Sequence, residues 1–165
     1  MCIRDRLYIQ FLVGKQGIKV NELACRIGGA FEDVFIPYIS GFDILDAVMD
    51  TAVGKKPDCT MLQGFDCSQS DKCASVQLLF CSSGKVVEMT PLETVKSLPF
   101  VADAGYNYGV GDTLPKLENA TARFGHCVIF GDQQNISKRV EQFYDSIEVL
   151  SETKQNLLIR RKWEA

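Results

Sequence analysis

Short apolar segments alternate with glycine-containing turns at the start of the chain. Residues 7–13 and 18–23 are rich in β-branched and aromatic side chains, and residues 14–17 between them contain two glycines. This order predicts a β-hairpin. Apolar residues at helical spacing then predict two short helices, at residues 31–40 and 43–54. The aspartate that opens the second helix and the glycine that closes it are typical capping residues.

The second half of the chain contains mainly short apolar runs bounded by turn residues. They predict a second hairpin, further strands, one short helix and one amphipathic helix. Residues 55–74 have no clear period and predict a linker. The predicted fold class is α+β, with an antiparallel hairpin and helices followed by a mostly antiparallel β-rich region. The predicted strands are at residues 75–81, 85–89, 100–104, 121–130, 147–150 and 155–160, and the helices are at residues 91–97 and 135–147.

Composition and charge exclude several classes of function. Hydrophobic residues make up 46% of the chain and charged residues 24%, which is typical of a soluble globular protein. The net charge of −3 argues against binding to nucleic acid or to an anionic membrane surface, because both need clustered positive charge. There is neither an apolar run long enough to span a bilayer nor a signal-peptide pattern, so we expect a cytoplasmic protein.

Seven cysteines raise the question of a metal or disulfide site. A zinc module needs closely spaced pairs of cysteines, and the chain has no such pair. Several of the cysteines stand among apolar residues, where a free thiol packs as a small hydrophobic group. We therefore expect structural thiols and no cysteine-bound metal.

Five residues near the start of the chain have the chemistry of a magnesium–nucleotide site. The amide oxygen of Gln10 and the carboxylate of Glu22 lie on the two strands of the predicted hairpin, and oxygen atoms are the ligands that Mg²⁺ prefers. Arg26 can bind a carboxylate or a phosphate through two parallel hydrogen bonds. Gly28 and Gly29 allow backbone N–H groups to approach an anion at the start of a helix.

This arrangement resembles the end of the ATP-grasp domain, in which two metal-binding side chains lie on adjacent antiparallel strands. Gln10 resembles the glutamine form of the first ligand, and Glu22 the second. The resemblance implies that Gln10 and Glu22 bind Mg²⁺, that Glu22, Arg26, Gly28 and Gly29 contact ATP or its phosphates, and that Arg26 is the catalytic residue.

One position departs from the family pattern. The second residue after the glutamate is most often asparagine in that family, and this chain has Ala24 there. Alanine cannot bind a metal ion. The departure implies that a second magnesium ion is held more weakly or is coordinated by water.

The magnesium hypothesis depends on the register of the hairpin. If Gln10 faces Glu22, the numbers of paired residues sum to 32, which places Leu12 opposite Val20 and requires a five-residue connection. A tight turn would instead pair Gln10 with Asn21 and send Glu22 to the other face.

The resemblance also predicts a domain map. Residues 1–6 resemble an artefactual leader, residues 7–54 the end of an ATP-grasp domain, residues 55–74 a linker, and residues 75–165 the carboxyl-terminal β-rich domain. In that last domain we expect Arg123 to contact an anion and His126 to be structural.

The function implied is that of the carboxyl-terminal part of a carboxylate–amine ligase, which uses Mg-ATP and forms an acyl phosphate. Its partners would be a small-molecule carboxylate and an amine, and a homodimer is compatible with the sequence. The adenine pocket and the phosphate-contacting lysines lie upstream in this family, so we expect this chain alone to be inactive. The alternative is a non-catalytic ATP-grasp-like module with a binding or regulatory role.

Overall fold

The structure, a computed structural model, describes residues 7–160. The predicted leader at residues 1–6 lies outside the described residues. The chain divides into two compact units, with the boundary between Ser70 and Asp71. Each unit combines helices with antiparallel strands, so the predicted α+β class is confirmed.

The first unit begins with the predicted hairpin and continues with two helices. Two short 3-10 helices lie in the segment for which the sequence predicts a linker. The elements are β1 (Tyr8–Gly14), β2 (Gly17–Ala24), α1 (Glu32–Ser40), α2 (Ile44–Ala52) and the 3-10 helices Thr60–Leu62 and Cys67–Gln69.

Local capping explains where the two helices stop and start. Gly41 ends α1 in the left-handed region, with φ at 77°, and its N–H donates to the carbonyl oxygen of Pro37. Asp43 then opens α2, because its carboxylate accepts hydrogen bonds from the N–H groups of Leu45 at 3.0 Å and Asp46 at 2.9 Å. The capping predicted for Asp43 is confirmed.

In the part of the chain that the structure describes, the second unit contains six strands and two α-helices. They are β3 (Lys72–Leu79), β4 (Gly84–Met89), α3 (Leu92–Lys96), β5 (Val101–Tyr106), β6 (Thr113–Leu114), β7 (Gly125–Asp132), α4 (Ile136–Ser146) and β8 (Val149–Ser151). The strands form two three-stranded sheets in the orders β3-β7-β5 and β6-β4-β8, and every pair of strands in them is antiparallel. Helix α3 packs on β5, and α4 packs on β3 and β7.

One pairing predicted from the sequence is wrong. The strands at residues 75–81 and 85–89 do not form a hairpin with each other, because β3 pairs with β7 and β4 pairs with β6 and β8. The chain crosses from one sheet to the other between β3 and β4. The apolar pattern shows that both segments are strands and does not specify their partners.

The core of the second unit lies where α4 covers the β3-β7-β5 sheet. Val140 and Phe143, at the helical spacing that the sequence shows, are buried on the inner face of α4. Phe143, Cys127 and Ile129 are completely excluded from solvent. The buried amide of Gln77 is satisfied inside this core, since its Oε1 accepts a hydrogen bond from the Tyr144 hydroxyl at 3.2 Å.

Candidate functional site

The hairpin of the first unit brings Gln10 and Glu22 directly opposite each other. The register is not uniform, however. The residue numbers of each pair sum to 31 from the turn, where Gly14 faces Gly17, as far as Phe11. From Gln10 to the open end of the hairpin they sum to 32. The predicted five-residue connection and the pairing of Leu12 with Val20 are wrong, because the turn is tight and Val20 faces Phe11.

A β-bulge at Asn21 reconciles the tight turn with the pairing of Gln10 and Glu22. Gln10 pairs with Glu22 and Phe11 with Val20, which leaves Asn21 as the extra residue on β2. Without the bulge, the tight turn would place Asn21 opposite Gln10 and direct Glu22 to the other face. The bulge therefore decides that both candidate oxygen ligands lie on one face.

The two faces of the hairpin differ in chemistry. The side chain of Asn21 is on the same face as Gln10, since its Nδ2 lies 2.5 Å from Gln10 Oε1. The opposite face is apolar and solvent-exposed, and it consists of Ile9, Phe11, Val13, Ile18, Val20 and Leu23.

Arg26 lies just beyond the end of β2 and is tied to its surroundings by three interactions. Its Nη2 is 3.6 Å from Glu22 Oε1, and its Nη1 donates to the carbonyl oxygen of Ile27 at 2.8 Å. The guanidinium also lies 5.8 Å from the centre of the Tyr8 ring. The Arg26 side chain is 57% exposed, so the ion pair is open to solvent and easily exchanged for another anion.

The glycine loop after Arg26 already surrounds a carboxylate. Glu32 Oε2 accepts a hydrogen bond from the Ala30 N–H at 2.7 Å, and its carboxylate lies so close to Gly28 that a β-carbon there would overlap it. Gly29 is open, with Arg26 Nη1 at 3.9 Å from where its β-carbon would be. One N–H of the loop thus binds a carboxylate, that of Glu32, a residue that sequence reasoning missed.

An apolar cavity of about 480 Å³ lies inside the first unit, beside Arg26. Side chains from β1, α1 and α2 line it, and Arg26 and Glu32 are the charged residues among its lining. A volume of this size is typical of small-molecule sites, which combine an apolar wall with a few polar groups.

The other two candidate residues, Arg123 and His126, belong to the second unit. Arg123 follows a 3-10 turn, and its Nε is buried without a hydrogen-bond partner among the described residues. His126 lies on β7, where its Nε2 is 3.1 Å from a carboxylate oxygen of Asp103. Burial raises the pKa of the Cys81 and Cys127 thiols to about 12, so both remain protonated at neutral pH.

Comparisons with known proteins show what parts of this chain are similar to. Residues 76–150 match the family model of L-amino acid ligase C-terminal domain 2. The chain also superposes on an L-amino acid ligase from Bacillus licheniformis with a TM-score of 0.70 and 14% identity, over 88% of this chain and 36% of that one. The resemblance to the ATP-grasp ligases is confirmed.

A second solved structure shares the fold. The phosphoribosylglycinamide synthetase from Anaerococcus prevotii superposes with a TM-score of 0.67 and 12% identity, over 88% of this chain and 37% of that one. This chain therefore spans little more than a third of either ligase. A comparison of the sequence with proteins of curated function found no significant match.

The donor atoms of the hairpin fit a hard cation such as Mg²⁺. Gln10 and Glu22 supply oxygen atoms on one face, and both side chains are exposed. Within residues 7–160 there is no group of three or more His, Cys, Asp and Glu side chains that would hold a metal ion by themselves. No helix in the same part of the chain has the length and apolar character needed to cross a bilayer.

Proposed function

We propose that this chain supplies the metal-binding hairpin and the carboxyl-terminal domain of an ATP-dependent carboxylate–amine ligase that forms an acyl phosphate. The observation that carries the proposal is the placement of Gln10 opposite Glu22, with Arg26 paired to Glu22 at 3.6 Å. The match of residues 76–150 to an L-amino acid ligase domain supports the same reading.

The residues divide the work in this proposal. Gln10 and Glu22 hold magnesium, which when bound neutralises charge on the phosphates of ATP. Arg26 exchanges its contact with Glu22 for the carboxylate or acyl phosphate of the substrate, because a guanidinium binds either anion through two hydrogen bonds. Gly28 and Gly29 leave room for a phosphate oxygen in the loop where the Glu32 carboxylate now lies.

The substrates of this proposed reaction are a small carboxylate and an amine. The apolar cavity of about 480 Å³ beside Arg26 accommodates the body of the carboxylate substrate, whose charged end then reaches the guanidinium. We place the reaction in the cytoplasm. The adenine pocket and the phosphate-contacting lysines belong to the part of such a ligase that this chain does not span, so we expect no turnover from the 165 residues alone.

The non-catalytic module remains the second candidate. A Glu22 side chain that points away from Gln10, or a convergence of four thiols, would favour that module. Gln10 and Glu22 are instead paired, and within residues 7–160 no metal-binding cluster that includes cysteine occurs. The geometry therefore favours the ligase.

The test uses the complete protein encoded by the gene and measures ATP-dependent release of ADP with mixtures of amino acids. We expect Glu22→Ala to reduce ADP release at least a hundredfold and to raise the Mg²⁺ concentration required. Glu141→Ala, which removes an exposed carboxylate on α4, is the matched control and should retain full activity. Undiminished ADP release from Glu22→Ala would refute the metal assignment.

A further inference from the structure

Asn21 is the one residue of β2 that has no partner in the ladder, and its side chain contacts the candidate metal ligand Gln10. We infer that Asn21 supplies a third oxygen ligand to the cation that Gln10 and Glu22 hold. The inference rests on the proposed function, since it concerns the same metal ion. It adds a ligand at a position for which the sequence predicts no role.

The distance between the two amide groups carries the argument. Asn21 Nδ2 lies 2.5 Å from Gln10 Oε1. Half a turn about the last side-chain torsion of asparagine exchanges Nδ2 with Oδ1 at little cost, because this torsion has two nearly equivalent positions. Two oxygens on adjacent corners of a Mg²⁺ octahedron lie about 2.9 Å apart. A small shift therefore converts the hydrogen-bonded pair into a pair of cis ligands.

The composition of the site shows why a third oxygen matters. Between them, Gln10 and Glu22 provide one negative charge, and Glu22 also faces Arg26. Ala24, which lies on the same face opposite Tyr8, has no side-chain oxygen to add. Asn21 is the neighbouring side chain whose contact with Gln10 puts an oxygen donor within reach.

The proposed ligand role of Asn21 explains why the hairpin combines a tight turn with a bulge. A tight turn alone would pair Gln10 with Asn21, and a bulge-free hairpin with a longer turn would send Asn21 to the apolar face. The observed combination keeps Gln10, Asn21 and Glu22 on one face. Bulges characteristically redirect a side chain next to a functional site.

The test measures Mn²⁺ binding to the 165-residue chain by electron paramagnetic resonance. The ion is located by NMR, from the paramagnetic broadening of the signal of the Gln10 side-chain amide. We expect Asn21→Ala to weaken binding about tenfold, the lower end for loss of a group that supports a metal. Gln16→Ala is the matched control, because Gln16 is an exposed amide at the far end of the same hairpin. It should leave the dissociation constant unchanged.

Two more variants separate a ligand from a residue that only orients Gln10. Asn21→Asp keeps an oxygen but cannot donate a hydrogen bond to Gln10 Oε1, so a ligand role predicts binding at least as tight as in the parent protein. An orienting role predicts that Asn21→Asp is as weak as Asn21→Ala, and that result would overturn the inference. Deletion of Asn21 removes the amide and still allows Gln10 to pair with Glu22, so it should weaken binding as Asn21→Ala does.

The outcomes distinguish this inference from the proposed function. If Mn²⁺ broadens the Gln10 signal and the dissociation constant is the same with and without the Asn21 side chain, Asn21 is not a ligand and the magnesium hypothesis stands. If Mn²⁺ does not broaden the Gln10 signal in the parent chain, the inference and the metal assignment fail together. A tenfold loss in Asn21→Ala that is recovered by adding Ala24→Asn would support both.

Discussion

Two glycines of the second unit offer a matched test of how tightly its central strand is packed. Gly125 begins β7 between β3 and β5, and a β-carbon on it would overlap the carbonyl oxygen of Gly105 and lie 3.1 Å from Tyr106 Cδ1. A β-carbon on Gly109 would have its nearest neighbour at 3.9 Å. Neither glycine has a positive φ, so the same change to alanine compares crowding alone.

The crowding at Gly125 has no easy outlet. The N–H of the preceding Phe124 donates to Leu79 at 2.8 Å, and the Phe124 carbonyl accepts from Asn107 at 2.7 Å. The overlapped atom is itself main chain, so Gly125→Ala must push β5 away from β7. Overpacking costs about 1–3 kcal/mol, and we expect the upper end here. For a domain of this size, that corresponds to a Tm about 12–24 °C lower.

The assay combines urea unfolding followed by circular dichroism with hydrogen exchange at the β7 amides of Cys127 and Val128, which reports on the second unit alone. Gly109→Ala should be neutral or should raise the free energy of unfolding by about 0.4–1 kcal/mol, because alanine restricts the unfolded chain. Equal stability of the Gly125→Ala and Gly109→Ala variants would refute the reasoning, since it would mean that β5 and β7 separate freely.

Three further predictions concern other parts of the chain. Asp43→Ala should cost about 1 kcal/mol of helix stability and speed hydrogen exchange in the first turn of α2, because two N–H groups lose their acceptor. Tyr144→Phe should lower the free energy of unfolding by about 1–2 kcal/mol in urea titrations, since the buried oxygen of Gln77 loses its hydroxyl donor. Burial raises the pKa of Cys127 to about 12, whereas an unfolded thiol loses its proton near pH 8.5. The stabilisation from this thiol is therefore present below about pH 8.5 and is lost as pH rises toward 12. We expect the free energy of unfolding, measured at about pH 7.5 and at about pH 9.5, to fall less between these two values in Cys127→Ala than in the parent protein.

The features that sequence reasoning predicted well are local ones. The cap at Asp43, the helical spacing of Val140 and Phe143, and the strand–turn–strand order of the first hairpin all depend on residues within a few positions of one another. Backbone preferences and side-chain periodicity act over this range, so the pattern of residues is sufficient to recognise them.

For the candidate site, the sequence predicted that Gln10 and Glu22 face each other, and it did not predict the geometry that brings them together. Gln10 and Glu22 were identified from their chemistry and spacing, but the tight turn combined with a bulge at Asn21 was not. Whether a bulge forms depends on the length of the turn and on which side chains the two strands must place on each face, and no single residue type indicates it. The carboxylate of Glu32 in the glycine loop was likewise invisible before the fold brought it back against Gly28.

By itself, the sequence determined the class of fold, the family resemblance and most of the individual strands and helices. The tertiary structure alone decided that β3 pairs with β7 and β4 with β6 and β8, and that Asn21 is displaced toward Gln10. The physical reason is range. Local elements follow from neighbouring residues, whereas strand partners and registers are selected by burying apolar faces that lie tens of residues apart along the chain.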